Sequence, residues 1–253
     1  MLLAIDVGNT QTVFGLFDGA RLTEQFRVGT NRTHTSDELA VMLRAFVELE
    51  SLDGIVLCSS VPQLVQEYVA FAEHWTGTEV LALGPGVSTG MTVRYDDPRE
   101  VGPDRIANAV AARERHGAPA VVVDFGTSTN FDVVSAAGEF AGGVLAPGVE
   151  VSMDALFAHA ARLPKVPFVA PERVISQTTT AALQSGLVYG FAGQVDAIVD
   201  RIKEELGAPD APVIATGGLA DLIAPHTRTV TAVDPELTLH GLRLVWDRNH
   251  PAA

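Results

Sequence analysis

Two carboxylates at the ends of apolar runs are the residues of this sequence best placed to do chemistry. Asp6 closes the run Met1 to Ile5 and is followed by Val7-Gly8-Asn9-Thr10. Asp124 closes the run Ala120 to Val123 and is followed by Phe125-Gly126-Thr127-Ser128. Each stretch reads as strand, acid, one apolar residue, glycine and two small hydrogen-bonding residues. A β-rich run then follows at once, Gln11 to Phe17 in one case and Thr129 to Val134 in the other. Glycine lets a chain turn back with positive φ and come close to a ligand. The freed backbone N–H groups, with the Asn, Thr and Ser side chains, can cradle a phosphate, and an acid ending a buried strand suits a cation or its waters. A single copy would favour an ordinary β-turn with Asp as turn former. Two copies, each opening a β-rich half, point to a duplicated nucleotide site.

The elements needed to hold such a site follow from periodicity. Residues 2–28 read as a three-stranded meander with Asp18-Gly19 at a hairpin. Thr35 to Glu38 form a capping box, and Leu39, Met42, Leu43, Phe46 and Val47 recur at helical spacing, predicting a helix over 36–50. A buried strand at 55–59, a helix opened by Pro62 and running to about Trp75, and a short strand at 79–83 come next. The stretch 84–101 is too long for a plain connection. Gly102-Pro103-Asp104-Arg105 starts a helix to about His116, and Gly117-Ala118-Pro119 marks a junction. The second half repeats the opening with strands near 120–124, 129–135 and 140–146. A helix over 150–161, an extended loop over 163–175 and a long helix over 179–206 follow. Gly186, Gly190 and Gly193 on that helix predict close packing, within the fold or across a dimer. A strand at 213–216, a short helix and a helix near 235–247 complete the chain. The predicted architecture is therefore α/β, two similar domains at 1–117 and 118–253 with their Asp-Gly turns facing a shared nucleotide cleft.

Composition narrows the function. A net charge of −14 argues against broad nucleic-acid binding, which needs a basic surface, while leaving room for an anionic small substrate met by a few local cations. The only lysines, Lys165 and Lys203, lie outside any GxxxxGK(S/T) loop, which excludes a Walker-type site. Cys58 is the single cysteine, so neither an intrachain disulfide nor a thiolate cluster is available. The seven histidines have no ligand spacing and predict no zinc site. No apolar run reaches the length of a membrane span, and the chain opens directly on a strand; the expected location is cytoplasmic.

Four blocks, in this order, carry a resemblance: Asp6-Val7-Gly8-Asn9-Thr10, Gly102-Pro103-Asp104-Arg105, Asp124-Phe125-Gly126-Thr127 and Leu237-Thr238-Leu239-His240-Gly241-Leu242. With Gly143 to Gly148 and Thr216-Gly217-Gly218, they resemble the superfamily of acetate and sugar kinases, actin and the heat-shock chaperones. Its members pair two ribonuclease-H-like domains, the duplicated actin-like ATPase fold. Within it the whole chain resembles the type III pantothenate kinases, the first enzymes of coenzyme A synthesis. Pro103 departs from the alanine usual in that family; proline suits a first helical position and lacks only an N–H that would be orphaned there.

The resemblance implies ATP-dependent phosphorylation of pantothenate to 4′-phosphopantothenate. By it, Asp6, Val7, Gly8, Asn9, Thr10, Gln11, Thr12 and Val13 wrap the ATP phosphates and Thr127 adds a contact. Asp6 holds Mg²⁺ through water, and Asp124 helps bind a monovalent cation, K⁺ or NH₄⁺. Asp104 is the candidate base for the substrate hydroxyl; by position alone it reads instead as a first-turn acid complementing the helix dipole, and the four-residue match to the family reverses that reading. With an ordinary pKa near 3.9 its work would be to orient the hydroxyl and accept the proton late. Gly102, Pro103 and Arg105 belong to the same substrate site, Arg105 otherwise being a surface partner of Asp104 or Glu100. Tyr95 is implied as a substrate contact or else packs on the core. Thr179 is implied as a carboxylate contact at a helix start, although Thr178 or Thr180 could be the capping residue. The family also implies a homodimer. A non-catalytic regulatory relative is the alternative, against which the intact Asp6, Asp104, Arg105, Asp124 and Thr127 speak.

Overall fold

A computed structural model describes residues 1–160 and 163–251. The chain divides into two units. The first begins with the expected meander, β1 (Leu2–Val7), β2 (Gln11–Asp18) and β3 (Arg21–Gly29), and adds β4 (Gly54–Ser59) and β5 (Val80–Ala82). The sheet order is β3-β2-β1-β4-β5, with β1 antiparallel to β2 and parallel to β4. β1 and β4 are central and buried on both faces, which is why their sequences are unbroken apolar runs rather than alternating ones.

The helix α1 (Ser36–Leu43) starts at the predicted capping box: Thr35 accepts from the Glu38 amide and Glu38 accepts from the Thr35 amide. It stops seven residues short of the expected end. Phe46 stacks on Phe26 at 4.5 Å and Val47 turns into the core, so apolar residues at helical spacing are buried by a turn instead. Helix α2 (Pro62–Phe71) opens on proline as predicted, and a π-helical turn carries the chain on to Thr76. After the long connection, α3 runs Pro103–His116.

The second unit repeats the plan with β6 (Ala120–Phe125), β7 (Ser128–Val134) and β8 (Phe140–Pro147), then α4 (Val149–His159) and α5 (Thr179–Leu206). The last residue of the helix expected over 150–161 lies outside the described residues. Next come β9 (Val213–Thr216), α6 (Ala220–Ile223) and a two-residue β10 (Ala232–Val233), too short to show a period and not expected. The order β10-β9-β6-β7-β8 matches the first sheet strand for strand. Val121, Val123, Phe131, Val195 and Val199 lie in its core. Gly186, Gly190 and Gly193 do not pack tightly within the fold: among the described residues nothing lies within 4 Å of where a Cβ would stand.

The last helix, α7 (Leu237–Asn249), corrects the expected division at 117/118. It packs on β1, β2 and β4 of the first unit, burying Leu237, Leu239, Leu242 and Val245. The second unit is Thr92–Arg94 with Ala112–Glu236. Sequence proximity favoured the later half, but the apolar stripe of α7 is complementary to the first sheet. No helix among the described residues is long and apolar enough to cross a membrane.

Candidate active site

The turn after β1 comprises Gly8, Asn9, Thr10 and Gln11, between the paired residues Val7 and Thr12. Its φ at Gly8 is not positive, contrary to expectation. Glycine is needed there for a different reason: the Gly8 amide donates to the Gln11 carbonyl at 3.0 Å, and a Cβ would lie 2.8 Å from that oxygen. Asn9, Thr10 and Gln11 are exposed; Asn9 accepts from Arg32 at 2.9 Å. Thr12 is buried and its hydroxyl meets Thr30 at 2.9 Å, while Thr30 donates to the Gly8 carbonyl at 2.8 Å. Since Thr30 spends its one proton on Gly8, Thr12 must donate to Thr30. The Tyr68 hydroxyl hydrogen-bonds to Thr12 in turn, and burial pushes its pKa up, so it stays neutral. Thr12 therefore braces the turn from inside, and Val13 is paired in the ladder with Asp6; neither offers a free side-chain donor.

Asp6 is half-buried at the end of β1, level with Cys58 in the parallel register. The fully buried Cys58 thiol donates to Asp6 Oδ1 at 3.3 Å. Burial first, then the Asp6 and Asp104 carboxylates, hold the Cys58 pKa well above its ordinary value, so the sulfur keeps its proton.

Asp104 sits in the first turn of α3, with Pro103 as the first helical residue. Its pKa is raised by loss of solvent, opposed by the amides of Arg105 and of Asp104 itself, the Arg105 charge and the Ser60 side chain. A side chain at Gly102 would collide with Asp104 Oδ1, so the glycine leaves room for the carboxylate to fold back over the helix start. Arg105 is buried, 6% exposed, instead of lying on the surface. Tyr95 is half-buried on the connection leading to α3. One turn further on, Asn108 is fully buried and accepts from Thr238 of α7 at 2.7 Å. Gly241 of α7 lets the two helix backbones touch: a Cβ there would lie 2.5 Å from the Ala107 carbonyl carbon. The first unit thus brings together Asp6, Cys58, Asp104 and Ser60.

The turn after β6 has three residues, Gly126, Thr127 and Ser128, one fewer than its counterpart. Gly126 also lacks positive φ. Here two other glycines press against the turn. A Cβ on Gly217 would lie 2.7 Å from the Phe125 amide nitrogen, and one on Gly148 would lie 2.6 Å from the Gly126 carbonyl oxygen. Asp124 is half-buried and pairs in register with Thr216, while Thr127 is exposed. Thr179 belongs to a separate segment, the first residue of α5 and exposed. Thr178 is its N-cap, accepting from the Ala181 amide at 3.2 Å.

Sequence reasoning passed over Ser60 and the role of Cys58. The signal was present: small polar residues directly after the apolar run Ile55 to Leu57 repeat the pattern that singled out Asp6.

A family model for type III pantothenate kinase matches residues 2–201. The chain belongs to the type III pantothenate kinases. A type III pantothenate kinase from Acidothermus cellulolyticus is 52% identical over 99% of this chain and 100% of the relative. Among solved structures, a Campylobacter jejuni protein assigned to the Baf family of transcriptional activators aligns with a TM-score of 0.64 at 19% identity, covering 99% of this chain and 100% of that one. The activator of 2-hydroxyisocaproyl-CoA dehydratase from Clostridium difficile, solved with bound ADPNP, aligns at 0.52 and 10% identity over 100% and 98%. At such identities the two likenesses show the fold alone: ribonuclease-H-like units of the actin-like ATPase type, as expected for a type III pantothenate kinase.

Proposed function

We propose that this chain transfers the γ-phosphoryl group of ATP to the primary hydroxyl of pantothenate, giving 4′-phosphopantothenate, the first step of coenzyme A synthesis. The observation that carries this reading is the near-full-length match to the family, in a chain whose Asp104 carboxylate is desolvated and held over the start of α3. Phosphoryl transfer asks for positioning and charge neutralisation more than for covalent chemistry.

In this reading the exposed Asn9, Thr10 and Gln11, with the backbone of the Asp6 to Val13 turn, bind the ATP phosphates, and Thr127 adds a contact. Asp104 accepts a hydrogen bond from the pantothenate hydroxyl, orients its oxygen toward the γ-phosphorus and takes its proton as the P–O bond forms. The raised pKa of Asp104 brings it nearer the range in which a carboxylate is an effective base. Arg105 supplies positive charge beside it, while Tyr95, Gly102, Pro103 and Thr179 complete the substrate contacts.

Magnesium fits one carboxylate among neutral donors. Among the described residues no group of three or more His, Cys, Asp or Glu side chains could cage a metal. Mg²⁺ keeps most of its waters and leans on phosphates, so Asp6 would hold it through water. When bound, the ion neutralises charge on the ATP phosphates. Asp124 is assigned to the monovalent cation. A homodimer is supported by unburied apolar surface on the second unit: Val144 and Leu145 on edge strand β8, Leu156 and Phe157 on α4, and the open glycine stripe of α5.

The test is phosphate transfer to pantothenate with Mg-ATP, with and without K⁺, by wild type and Asp104→Asn. Turnover by the wild type that the substitution abolishes is expected. An inactive wild type refutes the enzyme reading, a fully active Asp104→Asn refutes the base, and K⁺-independent turnover removes the role given to Asp124.

A further inference from the structure

The connection between β3 and α1 folds back over the turn after β1. The Thr30 amide donates to the Thr10 carbonyl at 3.0 Å, the Thr30 hydroxyl donates to the Gly8 carbonyl at 2.8 Å, and Arg32 Nη2 donates to Asn9 Oδ1 at 2.9 Å. The backbone of Arg32 is tied down in turn, its carbonyl accepting from Gln63 Nε2 of α2 at 3.2 Å. Arg32 and Asn9 are both exposed. A guanidinium carries donors and no acceptor, so the Asn9 atom that meets it is the carbonyl oxygen, and the Asn9 NH₂ group is left to donate elsewhere. Among the described residues no protein group takes those donors, and Asn9 is the one side chain that the Arg32 guanidinium bonds.

The neutrality of Asn9 matters. Arg94, Arg99, Arg115, Arg228 and Arg243 each meet a carboxylate, which offsets their charge. Arg32 meets a carboxamide, which holds the guanidinium in place and leaves its positive charge whole. We propose that Arg32 is a ligand of the ATP phosphate chain, with Asn9 orienting its guanidinium and adding its own NH₂ donors to the same anion. The inference rests on the function proposed above and supplies a cation that the phosphate turn itself lacks. Asn9, Thr10 and Gln11 are neutral and lie close to the Asp6 carboxylate in a chain of net charge −14. Lys165 and Lys203 both belong to the second unit, so no lysine of the first unit can serve. Phosphoryl transfer needs its charge neutralised, and the planar donor fork of arginine matches phosphate oxygens. The cation comes from the connection after β3 rather than from the turn, so no motif around Asp6 announces it.

Arg32→Gln and Arg32→Lys separate the charge from the contact with Asn9. Glutamine can still donate to Asn9 but carries no charge, whereas lysine keeps the charge and loses the fork. Calorimetric affinities of wild type and both variants are measured for a non-hydrolysable ATP analogue with Mg²⁺ and for adenosine, at low and high salt, with thermal melting alongside. Arg32→Gln is expected to bind the analogue about tenfold more weakly, the ratio corresponding to one hydrogen bond to a charged group, with adenosine affinity and melting temperature unchanged. Arg32→Lys should recover part of the loss, and the advantage of the wild type should shrink as salt rises. Wild-type analogue affinity in Arg32→Gln overturns the proposal, as does an equal loss for adenosine, a loss that lysine does not lessen, or an advantage indifferent to salt. Binding is read without turnover, so the two proposals fail separately. A wild type that binds the analogue yet leaves pantothenate unphosphorylated refutes the function alone, and the Arg32 comparison still decides its own case. A wild type that does not bind the analogue refutes both.

Discussion

Gly241→Ala is the sharpest probe of how α7 sets the position of Asp104. The added Cβ would lie 2.5 Å from the carbonyl carbon of Ala107 and 3.0 Å from its Cα, with the carbonyl oxygen nearer still. Reaching an ordinary contact of at least 3.4 Å requires α3 to retreat by about 1 Å. Ala107 is one helical turn beyond Asp104, so a rigid helix carries the carboxylate with it. A misplacement of about 1 Å can cost on the order of 100-fold in rate. Alanine gains about 1 kcal/mol over glycine in helix propensity, while overpacking costs about 1–3 kcal/mol. The net stability change is therefore small, and the kinetic change dominates. The assay is kcat for pantothenate phosphorylation beside ATP-analogue binding and thermal melting. A fall in kcat of about 100-fold with near-native analogue affinity is expected. Trimming Ala107 to glycine should not rescue it, because the obstacle is backbone. Native kcat in Gly241→Ala, or rescue by Ala107→Gly, would refute the reasoning.

Three further outcomes are expected. Tyr68→Phe ends the hydroxyl chain that reaches the Gly8 carbonyl and should destabilise by about 1 kcal/mol, read by denaturant unfolding; an unchanged midpoint would dismiss the chain. Asp104→Asn should melt higher than wild type near neutral pH. The folded-state pKa of Asp104 is raised, so its ionised form costs stability above that pKa, and the cost disappears as pH falls through it. The gap between the two melting curves should accordingly narrow on acidification, and a gap that widens would reverse the sign. Leu156→Glu combined with Phe157→Glu places two charges on the exposed apolar face of α4 and should yield monomers in analytical ultracentrifugation; a dimer of native affinity would move the interface elsewhere.

Most of the fold was legible because its signals are local. The unbroken apolar runs of β1, β4 and β6, the capping box at Thr35, Pro62 at a helix start and the Asp18-Gly19 hairpin depend on near neighbours alone. What stayed hidden depends on distant partners. The early end of α1 follows from Phe46 stacking on Phe26, twenty residues away. The placement of α7 in the first unit follows from which sheet its apolar stripe fits, a choice no local pattern encodes. At the site, the acids stood out by position, but the partners that tune them did not. Cys58 reads as one more buried strand residue until the parallel register sets it beside Asp6. Thr12 reads as a phosphate donor until Thr30 and Tyr68 are seen to claim its hydroxyl.

The two Asp-Gly turns are copies in topology and differ in construction, and the difference bears on where the chemistry lies. The first spans four residues and is braced by a side-chain relay ending on the Gly8 carbonyl; the second spans three and is pressed by the backbones at Gly148 and Gly217. The neighbouring parallel strand departs further. Cys58 beside Asp6 corresponds in register to Thr216 beside Asp124, and Ser60 corresponds to Gly218. The first unit thus sets a thiol beside its acid where the second sets a threonine. In the proposed reading Asp104 places proton transfer beside the first of these turns, where its carboxyl pKa is raised by loss of solvent, and Asp124 keeps a supporting electrostatic role.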